Sequence, residues 1–177
     1  MMWFRLSVLV LILIGCSEGS SDKLSSCDEL KAKVVILEKE VANHVSVDKH
    51  DSSHLMKAYA DFANSCPDDS IVAEYLVRRA DLLRGAGKFH DAIRLFQNIH
   101  DGYPTYENRA LCAFLIAYLY ETELGDNEMA EKFYKGVIDL HPESNEAKLA
   151  ALSLKHLGTS PEDLVRQFQK NNSDLEK

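Results

Sequence analysis

The sequence predicts an all-α protein, a solenoid of antiparallel helix hairpins with one longer helix ahead of them. Three observations lead there. Apolar residues recur at helical spacing, no β-branched alternation lasts more than a few residues, and the 177 residues hold only 4 prolines. One pattern is written twice: Ala80, Leu83, Gly85, Ala92, Phe96, Pro104, then Ala117, Tyr120, Gly125, Ala130, Tyr134, Pro142. Finally, an alanine four residues before an aromatic recurs as Ala58/Phe62, Ala92/Phe96 and Ala130/Tyr134, and Leu164/Phe168 continue it, at spacings of 34, 38 and 34 residues. A fixed period of this size marks stacked supersecondary units, none of which can bury its apolar face alone.

The elements follow in order. Residues 1–15 read as a removable leader: Arg5 is a short positive head, and Leu6 to Ile14 is apolar apart from Ser7. Nine helical residues reach about 13 Å, too little for a hydrocarbon core of about 30 Å. The leader closes with Leu13-Ile14-Gly15-Cys16, which resembles the lipobox of bacterial lipoproteins. That resemblance implies cleavage before Cys16 and a lipid on its sulfur. Two or three acyl chains anchor stably where one holds only marginally. Ser17 is not the aspartate associated with inner-membrane retention, so the resemblance favours the outer membrane, on its periplasmic face. Residues 16–23 form a lipidated tether, with Glu18 to Asp22 small, polar and flexible.

Residues 24–50 read as a helix and a loop. Leu24 to Val45 has neither proline nor glycine. Cys27, Val34 and Val41 fall at heptad position a, with Leu30, Leu37 and His44 at d, which would suit a parallel two-stranded coil with Cys27 facing its twin. The four consecutive apolar residues Val34 to Leu37 favour the other reading, packing of this helix onto the repeats. Asn43 to Ser53 loses the pattern, with Asp51 or Ser52 expected to start the next helix.

Residues 51–171 are the repeat domain and 172–177 a disordered tail. At the residues just quoted the chain resembles the tetratricopeptide repeat, a helix–turn–helix unit of 34 residues. Ala80 and Ala117 match in first helices, Ala92 and Ala130 in second helices, and Pro104 and Pro142 at the close. The resemblance implies a right-handed solenoid. Small residues let paired helices cross closely, with Phe96 and Tyr134 filling the wedge. Gly85, Gly87 and Gly125 suit the tight turn. There are departures. The 38-residue step holds one extra residue near Glu123 and three between Pro104 and Ala117, and Arg79 stands where leucine is preferred. The Ala58 unit has no convincing first helix. Ser160-Pro161-Glu162-Asp163 signals the start of a polar-ended closing helix.

Composition excludes several functions. A net charge of −8 without a basic block argues against nucleic acid. No GxSxG, P-loop, GxGxxG or HExxH motif is present, so no enzyme and no cofactor is expected. His50 and His54, four apart and near Asp48 and Asp51, could hold a metal only on one helix, and they are expected to straddle a helix start. His90, His100, His141 and His156 are expected at solvated helix ends. Cys27, Cys66 and Cys112 remain after lipidation; Cys112 reads as a small core residue, and a Cys66–Cys112 bond is the minor alternative.

The very apolar run Leu111 to Tyr120 reads as a central helix between neighbouring repeats, part of which could line a groove. In the repeat family the first helix of each unit faces the concave side. The resemblance therefore nominates Glu74, Val77, Asp81, Arg84, Phe114, Tyr118, Glu121, Leu149 and Ser153 as partner contacts. Aromatics flanked by acids suit a peptide of basic character. The expected function is a lipid-anchored adaptor for envelope proteins or peptides. The layout resembles both the outer-membrane-protein assembly lipoproteins and the Tol–Pal accessory proteins. A solute- or metal-binding lipoprotein is the competing class, and self-association through residues 24–45 stays open.

Overall fold

A computed structural model describes residues 19–43, 49–160, 162, 163, 165, 166 and 169. The leader, Cys16, Leu164, Phe168 and the 172–177 tail lie outside them. The described residues form seven named helices and no strand: α1 (Gly19–Asn43), α2 (Lys49–Ser65), α3 (Val72–Gly85), α4 (Phe89–Gly102), α5 (Arg109–Thr122), α6 (Asn127–Leu140) and α7 (Asn145–His156). Residues 162, 163, 165, 166 and 169 are helical as well. Each helix packs on the next, which makes the chain an α-solenoid of helical hairpins.

The core is a chain of three clusters, each shared by three consecutive helices. Val34 of α1 joins Ala58, Tyr59 and Phe62 of α2 and Val72 and Tyr75 of α3. Ala80 and Leu83 of α3 join Ala92, Phe96 and Ile99 of α4 and Cys112, Ile116 and Leu119 of α5. Ala113 and Ala117 of α5 join Ala130, Tyr134 and Val137 of α6 and Ala147 and Ala150 of α7. Ala80, Ala92, Phe96, Ala117, Ala130 and Tyr134 are fully buried, as is Phe62 beside the nearly buried Ala58. The small residues thus sit at equivalent helix crossings, and burial of each aromatic beside them contributes about 1.5–3 kcal/mol.

The turns obey local chemistry. Gly87 and Gly125, at φ +73° and +65°, hold the left-handed conformation in the two equivalent turns. Gly85 does not; it is still the last residue of α3. The one-residue insertion near Glu123 is absorbed before Gly125, so both glycines do the same job. Asp126 and Ser144 accept the amide hydrogens of Met129 and Ala147, each at 3.0 Å, and so cap α6 and α7. Ser160 caps the closing segment by accepting from the Asp163 amide and donating to its carboxylate.

Several expectations are corrected. Helix α1 begins at Gly19, so residues 19–22 of the expected flexible tether are helical. Helix α2 begins at Lys49, which places the backbones of both His50 and His54 within it. Cys27 bonds neither a twin nor leaves Cys66 to Cys112. It forms a disulfide with Cys66 inside the chain, while Cys112 is a buried free thiol. Cys27 and Cys66 meet because α1 lies on α2, whereas Cys112 belongs to the next cluster along.

The heptad positions of α1 are the ones that pack internally: Cys27, Leu30, Val34, Leu37 and Val41 face the α2–α3 cluster. The seam that would serve self-association is therefore already covered. The four-residue apolar run is not buried as a block, since Val35 and Ile36 remain exposed. Helix α1 supplies the missing first helix of the Ala58 unit.

Candidate functional site

The nominated contacts stand on α3, α5 and α7, the first helices of the complete hairpins and of the closing pair. They fall into two groups. On α3, Glu74 accepts from the Tyr106 hydroxyl at 2.7 Å and from Arg78 Nε at 2.9 Å. Those two bonds, Tyr106 first, hold its carboxyl below the usual range. Asp81 pairs with Arg84 at 3.3 Å, and Val77 packs half-buried against the middle cluster. Burial, then the fields of Asp81 and Glu74, push the neighbouring Cys112 thiol up to about 12, which makes it inert at neutral pH.

The second group is on α5 and α7. Phe114 and Tyr118 stack with ring centroids 6.4 Å apart and planes inclined by 20°. Phe114 is half-buried against Tyr134, while Tyr118 is exposed. Glu121 accepts the Tyr134 hydroxyl hydrogen at 2.6 Å, and Ser153 stands half-buried on α7. Burial and the Glu121 bond raise the Tyr134 pKa, so the phenol stays protonated. Leu149 is exposed on α7. Helix α5 is the central helix expected from its apolar run, with an exposed edge at Tyr118. Cys112, Ile116 and Leu119 face α4, Ala113 and Ala117 face α6 and α7, and Tyr118 faces out.

Sequence reasoning missed the loop before α5. The three extra residues after Pro104 bring Tyr106 back onto Glu74, and a cleft of about 840 Å³ opens there between Asp68, Asp69, Glu74, Tyr103, Tyr106 and Glu107. The insertion itself was the available signal. Also missed was the setting of His100, which is buried and not at a solvated end. Its Nε2 lies 3.0 Å from Nε2 of His141. No spacing rule announces a contact between residues 41 apart. Among the described residues, no group of three His, Cys, Asp or Glu side chains is gathered as metal ligands.

A further contrast lies outside the nominated set. Arg79 occupies the place that Ile116 holds in the next hairpin, one residue before the crossing alanine. Ile116 is buried in the middle cluster. The Arg79 Nε is buried without a hydrogen-bond partner, in a cleft it shares with Asp91, Arg94 and Asn98.

Residues 112–144 match the sequence profile of the Tetratricopeptide repeat family. The matched stretch is the hairpin α5–α6 with its closing Pro142. Among curated proteins, none matches this sequence. A solved tetratricopeptide repeat protein from Parabacteroides merdae aligns over 86% of this chain and 68% of its own at 17% identity, with a TM-score of 0.37.

Proposed function

We propose that the protein is a non-catalytic, lipid-anchored adaptor of the bacterial cell envelope that holds a peptide segment of a protein partner along its first helices. The observation that carries this reading is the exposed Tyr118 ring stacked on Phe114, with Glu121 one turn further on. An aromatic with a polar tip on a rigid helix is the kind of side chain that anchors a partner at low entropic cost. The carboxylates nearby and the net charge of −8 favour a basic peptide.

The envelope setting draws support from two sides. The leader ends at a lipobox-like Cys16, and the Cys27–Cys66 disulfide suits an oxidising compartment. Assembly or maintenance of the outer membrane is the role most in keeping with that setting.

The test is photo-crosslinking from position 118 in intact cells, followed by titration of the captured segment. Tyr118→Ala is expected to weaken binding about tenfold or more. Unchanged affinity would remove α5 from the partner surface. Cys16→Ser should abolish palmitate labelling and release the protein from membranes; labelling that persists would overturn the anchor.

A further inference from the structure

Two covalent connections join α1 to the hairpins behind it: the Cys27–Cys66 disulfide and the chain through residues 44–48. The two sulfurs differ in access, since Cys66 is buried while Cys27 is only half-buried on α1. A thiolate from solvent therefore meets Sγ of Cys27 first. A new S–S bond forms at Cys27, the Cys27–Cys66 bond breaks, and Cys66 leaves as a thiolate that takes a proton. A dithiol reductant finishes the exchange with its second thiol, which attacks the reductant's own sulfur in the mixed disulfide. It departs as a cyclic disulfide and frees Cys27, so two electrons and two protons pass to the protein.

The ties that remain are non-covalent. Val34 is buried, and Leu30, Leu37 and Val41 are half-buried against α2 and α3. Lys31 pairs with Asp69 at 3.2 Å, and Glu38 accepts from Tyr59 at 2.6 Å and from Arg78 at 2.7 Å. Loss of the cross-link raises the share of chains with α1 lifted by about thirty- to seven-hundredfold. Lifting α1 uncovers Leu55, Tyr59, Phe62 and Tyr75, an apolar surface already shaped to α1. Asp69 and Arg78 beside it are the charge partners of Lys31 and Glu38. The α1 helix of a second copy thus meets the same apolar, charged and sulfur partners that its own chain offers, which is the condition for exchanging an element between protomers.

We propose that the Cys27–Cys66 disulfide is a redox lock on self-association: when a dithiol reductant opens it, two copies of the chain exchange their α1 helices and form a swapped dimer. Oxidised, each α1 is held on its own body. Closed and swapped forms bury the same contacts, so their ratio follows the chain concentration against the effective concentration that the 44–48 link imposes, about 1 mM for a short link. Reoxidation of the swapped form joins Cys27 of one copy to Cys66 of the other and fixes the dimer covalently.

The test mixes equal amounts of ordinary and heavy-isotope-labelled full chain at about 1 mM, reduces them with dithiothreitol and lets them reoxidise. Linked Cys27–Cys66 peptides are then weighed by mass spectrometry. With about half the chains swapped, and half of those mixed, about a quarter of the linked peptides should pair light with heavy. Tenfold dilution before reduction should lower that share severalfold. A share no higher than in an unreduced mixture overturns the proposal. Light–heavy Cys27–Cys27 pairs in place of Cys27–Cys66 overturn it too, since they report a coil of twin helices. Exchange that appears only when the helical circular dichroism of the reduced chain is lost also overturns it, as plain unfolding. Cys27→Ala mixed with Cys66→Ala gives an independent reading, because neither variant can close its own bond. The mixture should form a Cys27–Cys66 bond between chains, and its absence sinks the swap.

Discussion

The first hairpin and the third are built to the same outline by different means. In α5–α6 the helices are nested: Ala113, Ala117 and Ala130 let the backbones approach, and Tyr134 fills the space beside them. In α1–α2, Val34 is the one fully buried residue among the described side chains of the first helix, and cross-links do the rest. Cys27 is bonded to Cys66, Lys31 pairs with Asp69 at 3.2 Å, and Glu38 accepts from both Tyr59 at 2.6 Å and Arg78 at 2.7 Å. Where the first helix lacks the small residues that allow close crossing, covalent and charge-assisted ties hold it instead. The lesson is that a repeat can keep its place in a solenoid after losing its signature, provided its neighbours supply other contacts.

The largest loss is expected in the nested hairpin. Tyr134→Ala should cost about 3–5 kcal/mol in denaturant unfolding, because the cavity lies between three helices that cannot all collapse. A cost under about 1 kcal/mol would mean the wedge is dispensable. In the tied hairpin, Cys27→Ala should cost about 2–4 kcal/mol by freeing a loop whose ends are 39 residues apart. Dithiothreitol should produce the same loss in the wild type and no further loss in the variant. Hydrogen exchange should then show α1 opening while α5 and α6 stay protected.

Smaller effects sharpen the contrast. Ala130→Leu should overpack the α5–α6 crossing at about 1–3 kcal/mol, and an unchanged melting temperature would place that crossing elsewhere. Arg79→Leu should do the reverse. It replaces a buried, unpartnered Nε with the kind of side chain that Ile116 supplies one hairpin later, and should stabilise by about 1 kcal/mol. A loss of stability there would show that Arg79 has a partner.

The smallest effect is on pH dependence. The folded state lowers the His141 pKa, so the unfolded chain takes up the proton first as pH falls through 6.5. Stability from this group is therefore full above that value and declines below it toward the folded pKa. His141→Gln should flatten that part of the curve, and an identical profile in both proteins would remove His141 from the account.

Much of this was legible beforehand for a plain reason. The alanine–aromatic pairs at Ala92/Phe96 and Ala130/Tyr134, the glycines at 87 and 125 and the Ser160 cap are local requirements of a helix crossing, a left-handed turn and a helix start. Each such requirement is met by residues within a few positions of one another, so composition and spacing reveal it. The same holds for the aromatic stack of Phe114 and Tyr118, which one helical turn brings together.

Contacts between residues far apart in the chain were fixed by packing alone. The heptad pattern of α1 suited a second copy, while its four-residue apolar run favoured the repeats, because a stripe of apolar side chains does not name its cover. The disulfide to Cys66, the Tyr106–Glu74 bond and the His100–His141 contact join residues 39, 32 and 41 apart. Those distances close only when whole hairpins stack, since the angle between units is set by packing summed over many side chains and not by any one of them.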